Sequence, residues 1–290
     1  MTTHKDYPCD ICGSEDARPI EVTAQYLGGT PLHTCGNCGF VFVKSRRSAE
    51  DIAKDWSDDL FGDHYTARIP YMKSRHFFLS ENLDIQVPLA GKKVCDIGAG
   101  EGQFLEIIRD APYNADVFGI EPSKTNCQIM SRNAIPNFAG TIEDYIASEQ
   151  FQNESFDVVT VMWTLENCED PKRMLKAAYD LLKPGGHILL STSSRILVPF
   201  KKPLHYYLGT SVALDTHCFR FSANAQHSIL AKCGFQTIFE NRFIDHDTLC
   251  SIARKEPEGR EIPLKRDNAD DVINFFERWH QDTQQFYKDA

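Results

Sequence analysis

The chain has 290 residues, 42% of them hydrophobic, so it can bury one full-sized core and still carry a smaller attachment. Its 41 acidic and 31 basic side chains give a formal net charge of −10. An acidic surface repels phosphate backbones, so we expect no nucleic-acid partner. No apolar run approaches the roughly 18–20 residues of a membrane span, and the N-terminus lacks a signal-peptide core. We therefore expect a cytoplasmic protein without a membrane partner, either a monomer or a homodimer.

The first 44 residues carry two Cys-x-x-Cys pairs, Cys9/Cys12 and Cys35/Cys38, separated by 22 residues. Each pair is followed directly by a glycine, which permits the positive-φ turn that directs backbone N–H groups at thiolates. In a reducing compartment two such pairs favour metal binding, with a redox-active pair as the alternative. Four thiolates leave no open coordination position. The pattern therefore predicts a small zinc ribbon over residues 1–44 that holds a structural Zn²⁺.

Residues 45–90 look helical and aromatic, and we interpret them as a lid or linker. Strands and helices then alternate over residues 91–255, which predicts an α/β, doubly wound, mostly parallel sheet. The predicted strands are Lys93–Ile97, Asp116–Ile120, Asn137–Gly140, Asp157–Trp163, His187–Thr192, Thr237–Asn241 and Thr248–Arg254. The predicted helices are Gly102–Arg109, Ser123–Asn133, Asp144–Ser148, Pro171–Leu182 and Ala223–Lys232.

The longest of these helices opens at Pro171 and is expected to stop at Pro184-Gly185-Gly186. The segment at about 193–221, after the fifth strand, is interpreted as an insertion that covers a cleft. Residues 256–290 form a tail with an amphipathic helix, Asn268–Tyr287. We expect this helix to pack on the sheet; closing the substrate cleft or forming a dimer are the alternatives.

A glycine-rich turn follows the first predicted strand. Asp96 ends the apolar run, and Gly98, Gly100 and Gly102 follow at alternate positions before a helix begins. Glycines let a backbone turn tightly and approach a ligand, although this turn could also join strand to helix without one. Glu121 closes the next strand, where a carboxylate can accept hydrogen bonds from both ribose hydroxyls. Together the turn and the carboxylate predict a nucleoside site at the carboxyl edge of the sheet.

Four motifs occur in order between about residues 90 and 255: Asp96-Ile-Gly-Ala-Gly-Glu-Gly102, Gly119-Ile-Glu-Pro122, Ser155-Phe-Asp-Val-Val159 and Leu182-Lys-Pro-Gly-Gly-His-Ile-Leu-Leu190. In order and spacing the set resembles the motifs of class I S-adenosylmethionine methyltransferases. The resemblance implies a Rossmann-like, seven-stranded, mostly parallel sheet whose last strand is antiparallel. It also implies S-adenosylmethionine as the cofactor.

The resemblance implies roles for individual residues in the cofactor site. Asp96 and the turn Gly98–Gly102, which includes Ala99, are expected to hold the methionine end of the cofactor. Glu121 and Pro122 are expected to hold the ribose.

The remaining cofactor contacts implied by the resemblance lie farther along the chain and in the helical segment before the sheet. They are Thr141, Ile142 and Glu143 beside the adenine, Met162 and Trp163 near the sulfonium, and Tyr65 closing over the cofactor. Many relatives carry Leu-Glu-His after the fourth strand. This chain has Leu165-Glu166-Asn167, which leaves no imidazole there.

Methyl transfer to a hydroxyl or an acidic carbon needs a base, and histidine titrates near working pH. His217 is our first candidate, followed by His205 and Tyr207. The alternative for His217 is a helix-flanking side chain that only packs or caps. Basic groups available to a phosphate-bearing acceptor are Lys201, Lys202 and Arg220, whereas Arg75 and His76 are interpreted as solvated helix faces.

An N-terminal four-cysteine zinc module also occurs in sugar methyltransferases, and this chain is similar in that layout. We therefore expect a small, sugar-like acceptor, a sugar or nucleotide-linked sugar that is O- or C-methylated in polysaccharide or natural-product biosynthesis. Two alternatives stay open at this point. One is an RNA methyltransferase that uses the ribbon for substrate recognition, and the other is a non-catalytic binding protein of the same fold.

Overall fold

The structure, a computed structural model, describes residues 4–52, 69–199, 202–208 and 217–287. Its strands are β1 Lys5–Asp6, β2 Ala17–Ile20, β3 Leu32–Cys35, β4 Val41–Phe42, β5 Ser45–Arg46, β6 Lys93–Ile97, β7 Asp116–Glu121, β8 Asn137–Ala139, β9 Phe156–Met162, β10 Leu182–Thr192, β11 Phe219–Arg220, β12 Phe235–Glu240 and β13 Leu249–Lys255. The helices discussed below are α1 Ile69–Gln86, α2 Gln103–Arg109, α3 Lys124–Arg132, α4 Ile142–Ala147, α5 Pro171–Leu181, α6 Leu204–Leu208, α7 Ala223–Lys232 and α8 Ala269–Phe286. Within these ranges no helix is long and apolar enough to cross a membrane.

Seven strands form the large sheet, in the order β12-β13-β10-β9-β6-β7-β8. The strands from β10 to β8 are parallel, and β13 runs antiparallel to both β10 and β12. The central strand β9 is buried at all but one position, as expected for a parallel strand covered by helices on both faces. The predicted Rossmann-like, doubly wound sheet with an antiparallel last strand is therefore confirmed.

Most predicted element boundaries agree with the structure to within two residues, but β10 differs. It begins at Leu182, directly after α5, and its pairing with β9 shifts register between Leu182 and His187. Pro184-Gly185-Gly186, predicted as the end of a helix, therefore lies in the irregular first half of a strand. The long edge contact with β13 starts only at His187, which is where the predicted strand began.

The chain order places a crevice between β6 and β9. After β6 the chain continues outward to β7 and β8, and it then returns to build β9 and β10 on the other side. In open α/β sheets such a reversal leaves a crevice at the carboxyl ends of the strands, and ligands bind there. The loops that follow β6, β7, β9 and β10 all reach this edge.

A second, four-stranded antiparallel sheet, in the order β11-β4-β3-β2, belongs to the N-terminal module, which we define as residues 4–46. Its strand β11 comes from the segment just before α7, so β4 pairs with a strand that lies far along the chain from the N-terminal module. The first 44 residues therefore do not complete this sheet by themselves, because β11, Phe219–Arg220, pairs with their edge strand β4.

The C-terminal helix α8 packs against the N-terminal module, which corrects the expectation that it packs on the large sheet. Its apolar face meets β2, β3 and α6 in one buried cluster, whose α8 members are Val272, Phe275, Phe276 and Trp279. Arg18 of the module forms an ion pair with Asp270. The apolar face of α8 thus covers the apolar face of the small sheet, to which Ile20 and Leu32 contribute.

Candidate functional site

A cavity of about 1120 Å³ lies at the carboxyl edge of the large sheet. The loops after β6, β7, β9 and β10 supply part of its wall, and α1 supplies another part. The N-terminal module contributes Lys5 and Tyr7, and α8 contributes Phe275 and Trp279. Three regions that are far apart in sequence therefore enclose one space at the switch point of the sheet.

The glycine turn forms one end of this cavity, and Gly98 has no room for a side chain. Its φ is +76°, and a Cβ there would lie 2.3 Å from Oγ1 of Thr164. The backbone N–H of Gly98 donates to the carbonyl of Ile120 at 2.8 Å, which fixes the turn against β7. Gly98 and Gly100 both line the cavity, and their backbone, which carries no side chain, allows a ligand's polar end to approach closely.

Glu121 faces the same space from the end of β7 and is only 6% exposed. Its Oε2 accepts from the N–H of Gly100 at 2.8 Å, and its Oε1 accepts from the N–H of Ser123 at 2.9 Å. Burial raises the pKa of Glu121, and hydrogen bonds from the two N–H groups and from the side chain of Asn126 oppose that rise. The carboxylate lines the cavity, where its oxygens can accept from a pair of vicinal hydroxyls.

Asp96 lies behind this turn and does not line the cavity. It is 2% exposed and accepts a hydrogen bond from Oγ1 of Thr160 at 2.7 Å. Burial raises its pKa to about 7. Ala99 and Gly102 also lie outside the cavity lining, and a Cβ on Gly102 would meet Met130 at 2.7 Å. These three predicted residues shape the turn from behind it.

The segment predicted to flank an adenine begins α4 and lines the cavity at Thr141, Ile142 and Glu143, as Pro122 does after β7. Thr141 caps α4 through a reciprocal pair of hydrogen bonds with Asp144. The cap fixes the helix start, so the backbone at Thr141 and Ile142 is held rigidly beside the cavity.

Met162 and Trp163, predicted to lie near a sulfonium, also line the cavity at the end of β9. Trp163 has a φ of +54°, an uncommon conformation for a bulky residue. Its ring contacts that of His76, with ring centroids 5.3 Å apart, and the guanidinium of Arg75 lies 5.9 Å from its centroid. Such backbone strain concentrates at binding sites, where surrounding contacts hold it in place.

Two of the three candidate bases line the cavity, His217 and Tyr207, whereas His205 does not. Burial and the nearby cation of Arg220 lower the pKa of His217 to about 3, so its imidazole is neutral and weakly basic. Burial raises the pKa of Tyr207. Tyr65 lies outside the described residues, as does Lys201.

The structure corrects the interpretation of Arg75 and His76. Arg75 and His76, interpreted as solvated helix faces, are 13% exposed in the side chain and 6% exposed, respectively. Arg75 lines the cavity and forms an ion pair with Asp247 at 3.5 Å. The 18-residue sequence of α1 shows no clear amphipathic period, so its buried face could not be assigned before its packing was known.

Two further cavity residues were missed as functional candidates, Glu166 and Arg195. Glu166 is fully buried, accepts from the N–H of Ser193 at 3.1 Å through Oε1, and has no partner on Oε2 within the described ranges. Burial raises its pKa. The only signal in the sequence is its place after the fourth strand, directly before Asn167, where many relatives carry a histidine.

The four cysteines of the N-terminal pairs come together, with all four Sγ atoms within 4.8 Å of one another. In each pair the following glycine has a positive φ, and its N–H donates to the carbonyl of the first cysteine at 2.8 Å. Four mutually close thiol sulfurs in two knuckles are the donor set that a tetrahedral Zn²⁺ takes. The residues therefore fit the predicted metal.

Asp10, within the first knuckle, joins this cluster to the cavity. It forms a buried ion pair with Arg46 at 3.0 Å, and Arg46 also donates to the carbonyl of Glu169 in the loop after β9. Tyr7 donates to the carboxylate of the same Glu169, and the N–H of Ala49 does so at 2.7 Å. The knuckle and the cavity loop are thus held by one hydrogen-bonded network.

Comparison with known proteins gives the same family as the fold does. The family described as "Methyltransferase domain" matches residues 67–239. Curated relatives named ubiquinone biosynthesis O-methyltransferase include one from Ralstonia nicotianae, 40% identical over 37% of this chain and 46% of that protein. Another, from Vibrio atlanticus, is 35% identical over 57% of this chain and 67% of that protein. The chain spans about half the length of most of the curated relatives it matches.

Solved structures agree in fold. A Burkholderia thailandensis 1,6-didemethyltoxoflavin-N1-methyltransferase, solved with its substrate and S-adenosylhomocysteine, has a TM-score of 0.53 at 14% identity over 75% of this chain and 95% of that chain. A SAM-dependent methyltransferase from Thermotoga maritima has a TM-score of 0.50 at 22% identity over 68% of this chain and 96% of that chain. The chain therefore belongs to the methyltransferase-domain family, with the class I fold of S-adenosylmethionine-dependent enzymes.

Proposed function

We propose that the chain transfers a methyl group from S-adenosylmethionine to an oxygen of a small, ring-shaped acceptor. The observation that carries this proposal is the buried carboxylate of Glu121, held by the glycine turn and facing a cavity that continues past Trp163. A nucleoside at one end leaves the remainder of the cavity for a second small molecule. When bound, the cofactor supplies a methyl group activated on a sulfonium.

The residues at the glycine end fit the cofactor part by part. Glu121 would accept from the two ribose hydroxyls, and the bare backbone at Gly98 and Gly100 would hold the methionine end. Thr141 and Ile142 would flank the adenine. Rigid positioning of this kind supplies much of the rate in methyl transfer, because the reaction is an in-line displacement.

A small acceptor is supported by the size of the cavity. Its volume of about 1120 Å³, with walls from α1, α8 and the N-terminal module, suits a nucleoside cofactor and one small molecule. The acidic composition also argues against RNA. We keep a sugar-like ring as the first candidate, because the wall includes aromatic side chains and polar groups together. They include Trp163, Tyr207, Phe243, Phe275 and Trp279.

A phenolic or quinol ring is the second candidate. The same aromatic wall suits a planar ring. The relatives from Ralstonia nicotianae and Vibrio atlanticus are named for O-methylation in ubiquinone biosynthesis. Both candidates present a hydroxyl to the cofactor, and they differ in whether the ring face is aliphatic or aromatic.

We propose that Glu166 accepts the proton of the acceptor hydroxyl. Burial raises the pKa of Glu166, which makes its carboxylate a stronger base than a solvated one, and its Oε2 is not engaged within the described residues. Burial lowers the pKa of His217 to about 3, which makes that imidazole the weaker base. His217 stays a candidate for orienting the acceptor.

We also propose that the four-cysteine cluster of the N-terminal module holds a structural Zn²⁺. All four positions of a tetrahedral ion would be filled by Cys9, Cys12, Cys35 and Cys38, so no position is left for a substrate. The metal would instead stabilise the first knuckle, where Asp10 pairs with Arg46 of β5, the residue that bonds to the cavity loop.

Calorimetry with S-adenosylhomocysteine tests the cofactor site. Glu121→Gln should weaken binding at least tenfold, because an amide cannot accept from both N–H groups and both hydroxyls. Glu106→Gln, on α2 and outside the cavity lining, is the matched control and should bind as the wild type does. Equal affinity in both variants would sink the assignment.

Mass spectrometry of a panel of acceptors tests the reaction. Sugar nucleotides, free sugars and dihydroxylated phenols are incubated with the cofactor, and methylated products are sought. Methylation confined to phenols would overturn the sugar assignment. Cofactor binding with no product from any acceptor would favour the non-catalytic alternative.

The pH profile of turnover tests Glu166. The rate of turnover should fall as pH drops through the raised pKa of Glu166, because the protonated carboxyl cannot accept a proton. In Glu166→Gln, turnover should be strongly reduced and the remaining rate should no longer fall at low pH. In His217→Asn, the fall in rate at low pH (the acidic limb of the profile) should remain. An unchanged limb in Glu166→Gln would contradict the assignment.

A further inference from the structure

The loop after β9, residues 164–170, forms part of the cavity wall and sets the start of α5. Its last residue, Asp170, caps α5 by accepting from the backbone N–H groups of Lys172 and Arg173, both at 3.0 Å. The first turn of α5 then lines the cavity with Arg173 and Met174. The position of the loop therefore also decides where this turn lies.

The first turn of α5 lies beside the start of α4, the segment expected to flank the adenine. Nε of Arg173 is 4.0 Å from Oε1 of Glu143. Ile142 and Met174 belong to one buried apolar cluster, and the same cluster extends into the N-terminal module at Cys9. The module, the loop after β9 and the start of α4 thus pack together at the adenine end of the cavity.

Glu169 connects the loop after β9 to the N-terminal region through all three of its oxygens. Its Oε1 accepts from the hydroxyl of Tyr7, and its Oε2 accepts from the backbone N–H of Ala49 at 2.7 Å. Its backbone carbonyl accepts from the guanidinium of Arg46. Because these bonds engage every oxygen of the residue, Glu169 anchors the loop and is not itself a ligand-binding group.

Tyr7 is held in place for its contact with Glu169. Its backbone N–H donates to the carbonyl of Lys44 at 2.9 Å. Nζ of Lys5 and the guanidinium carbon of Arg46 lie 4.9 and 4.1 Å from the centroid of its ring. Burial and the hydrogen bond to Glu169 raise the pKa of Tyr7 to about 12, so the phenol stays protonated at neutral pH and donates.

A short path joins this anchor to the four-cysteine cluster. Arg46, which donates to Glu169, also forms the buried ion pair with Asp10. Asp10 lies between Cys9 and Cys12 in the first knuckle. A ligand that orders one end of this path lowers the cost of ordering the other end, so binding at the two ends is expected to be cooperative.

We propose that the N-terminal module completes the cofactor site, with Tyr7 and Glu169 as positioning residues that hold the loop after β9 at the adenine end. This inference rests on the proposed function, because it concerns the same cofactor site and the same metal cluster. It has a thermodynamic consequence. Zn²⁺ at the four cysteines and cofactor in the cavity each strengthen the binding of the other, by the same factor.

Calorimetry with S-adenosylhomocysteine tests the positioning role. Tyr7→Phe keeps the ring and removes the hydroxyl, so it should weaken cofactor binding by about threefold or more. Tyr26→Phe is the matched control, because it makes the same change in the same module. The hydroxyl of Tyr26 bonds to Nδ1 of His280 at 2.6 Å, and neither residue lines the cavity, so this variant should bind as the wild type does.

A double variant separates positioning from direct contact with the cofactor. Tyr7→Phe/Glu169→Ala should bind S-adenosylhomocysteine no more weakly than Glu169→Ala alone, because the hydroxyl of Tyr7 acts through that carboxylate. A further loss of affinity in the double variant would show that Tyr7 contacts the cofactor directly, and it would overturn the positioning role.

Competition for Zn²⁺ with a chromogenic chelator tests the linkage. Saturating S-adenosylhomocysteine should raise the Zn²⁺ affinity of the wild-type chain by about fivefold or more, and Tyr7→Phe should lose most of this gain while Tyr26→Phe keeps it. Zn²⁺ affinity that ignores the cofactor, or equal cofactor affinity in the two variants, would overturn the inference and leave the proposed methyl transfer standing. Failure of the wild-type chain to bind S-adenosylhomocysteine would instead remove the proposed function, and failure to bind Zn²⁺ would remove the metal and this linkage together.

Discussion

The ion pair between Arg46 and Asp10 carries the most demanding prediction. Arg46 is fully buried and Asp10 is 4% exposed, with the guanidinium bonded to both carboxylate oxygens, the shorter pair at 3.0 Å. The same guanidinium lies 4.1 Å from the ring centroid of Tyr7 and donates to the carbonyl of Glu169. Arg46→Met therefore leaves Asp10 buried without its cation and Glu169 without its donor.

We expect Arg46→Met to lower the free energy of unfolding by about 3–5 kcal/mol, the usual cost of breaking a buried pair by removing one partner. Arg18→Met is the matched control, because its ion pair with Asp270 is 40% and 69% exposed in the two side chains. An exposed pair contributes about 0–1 kcal/mol. The double variant Asp10→Asn/Arg46→Met should lose less than the two single losses combined, by roughly 0.5–3 kcal/mol.

Urea unfolding followed by circular dichroism measures Arg46→Met, Arg18→Met, Asp10→Asn and the double variant. Affinity for S-adenosylhomocysteine should also fall in Arg46→Met, because the pair holds the loop after β9 at the cavity. A loss of stability no larger than that of Arg18→Met would refute the reasoning. Additive losses in the double variant would show that the two side chains do not depend on each other.

Three further predictions concern the glycine turn, the buried carboxyl and the metal cluster. Gly98→Ala should destabilise the chain more than Gly91→Ala, since both glycines have a positive φ but only Gly98 lacks room for a Cβ; equal losses by urea unfolding would contradict this. Because burial raises the pKa of Asp96 from 3.8 to about 7, the folded state binds the extra proton and stability should fall as pH rises through that range, by on the order of 4 kcal/mol. Asp96→Asn should flatten this part of the pH profile, and a profile like the wild type's would count against the assignment. Removing metal with a chelator should unfold the N-terminal module, and a chain that stays folded without zinc would remove the structural metal.

The sequence determined the large sheet because its signals are local. Apolar strands and amphipathic helices alternate along residues 91–255. Each of these elements is specified by the pattern of its own residues, whatever its position in the fold. The positions of Gly98 and Glu121 followed too, since both end parallel strands and parallel strands end at one edge. The cysteine pairs were readable for the same reason, because each knuckle is a local turn.

The tertiary structure alone decided what encloses the cavity. The strand β11 is two residues long and has no periodic signal, yet it completes the N-terminal sheet by pairing with β4. The position of α8 depended on which apolar surface the other helices do not cover. That surface is a face of the small sheet of the N-terminal module. Glu166 lies in a short 3-10 helix after β9 and Arg195 in the loop after β10. Their burial follows from contacts with distant segments, which a local sequence pattern does not record.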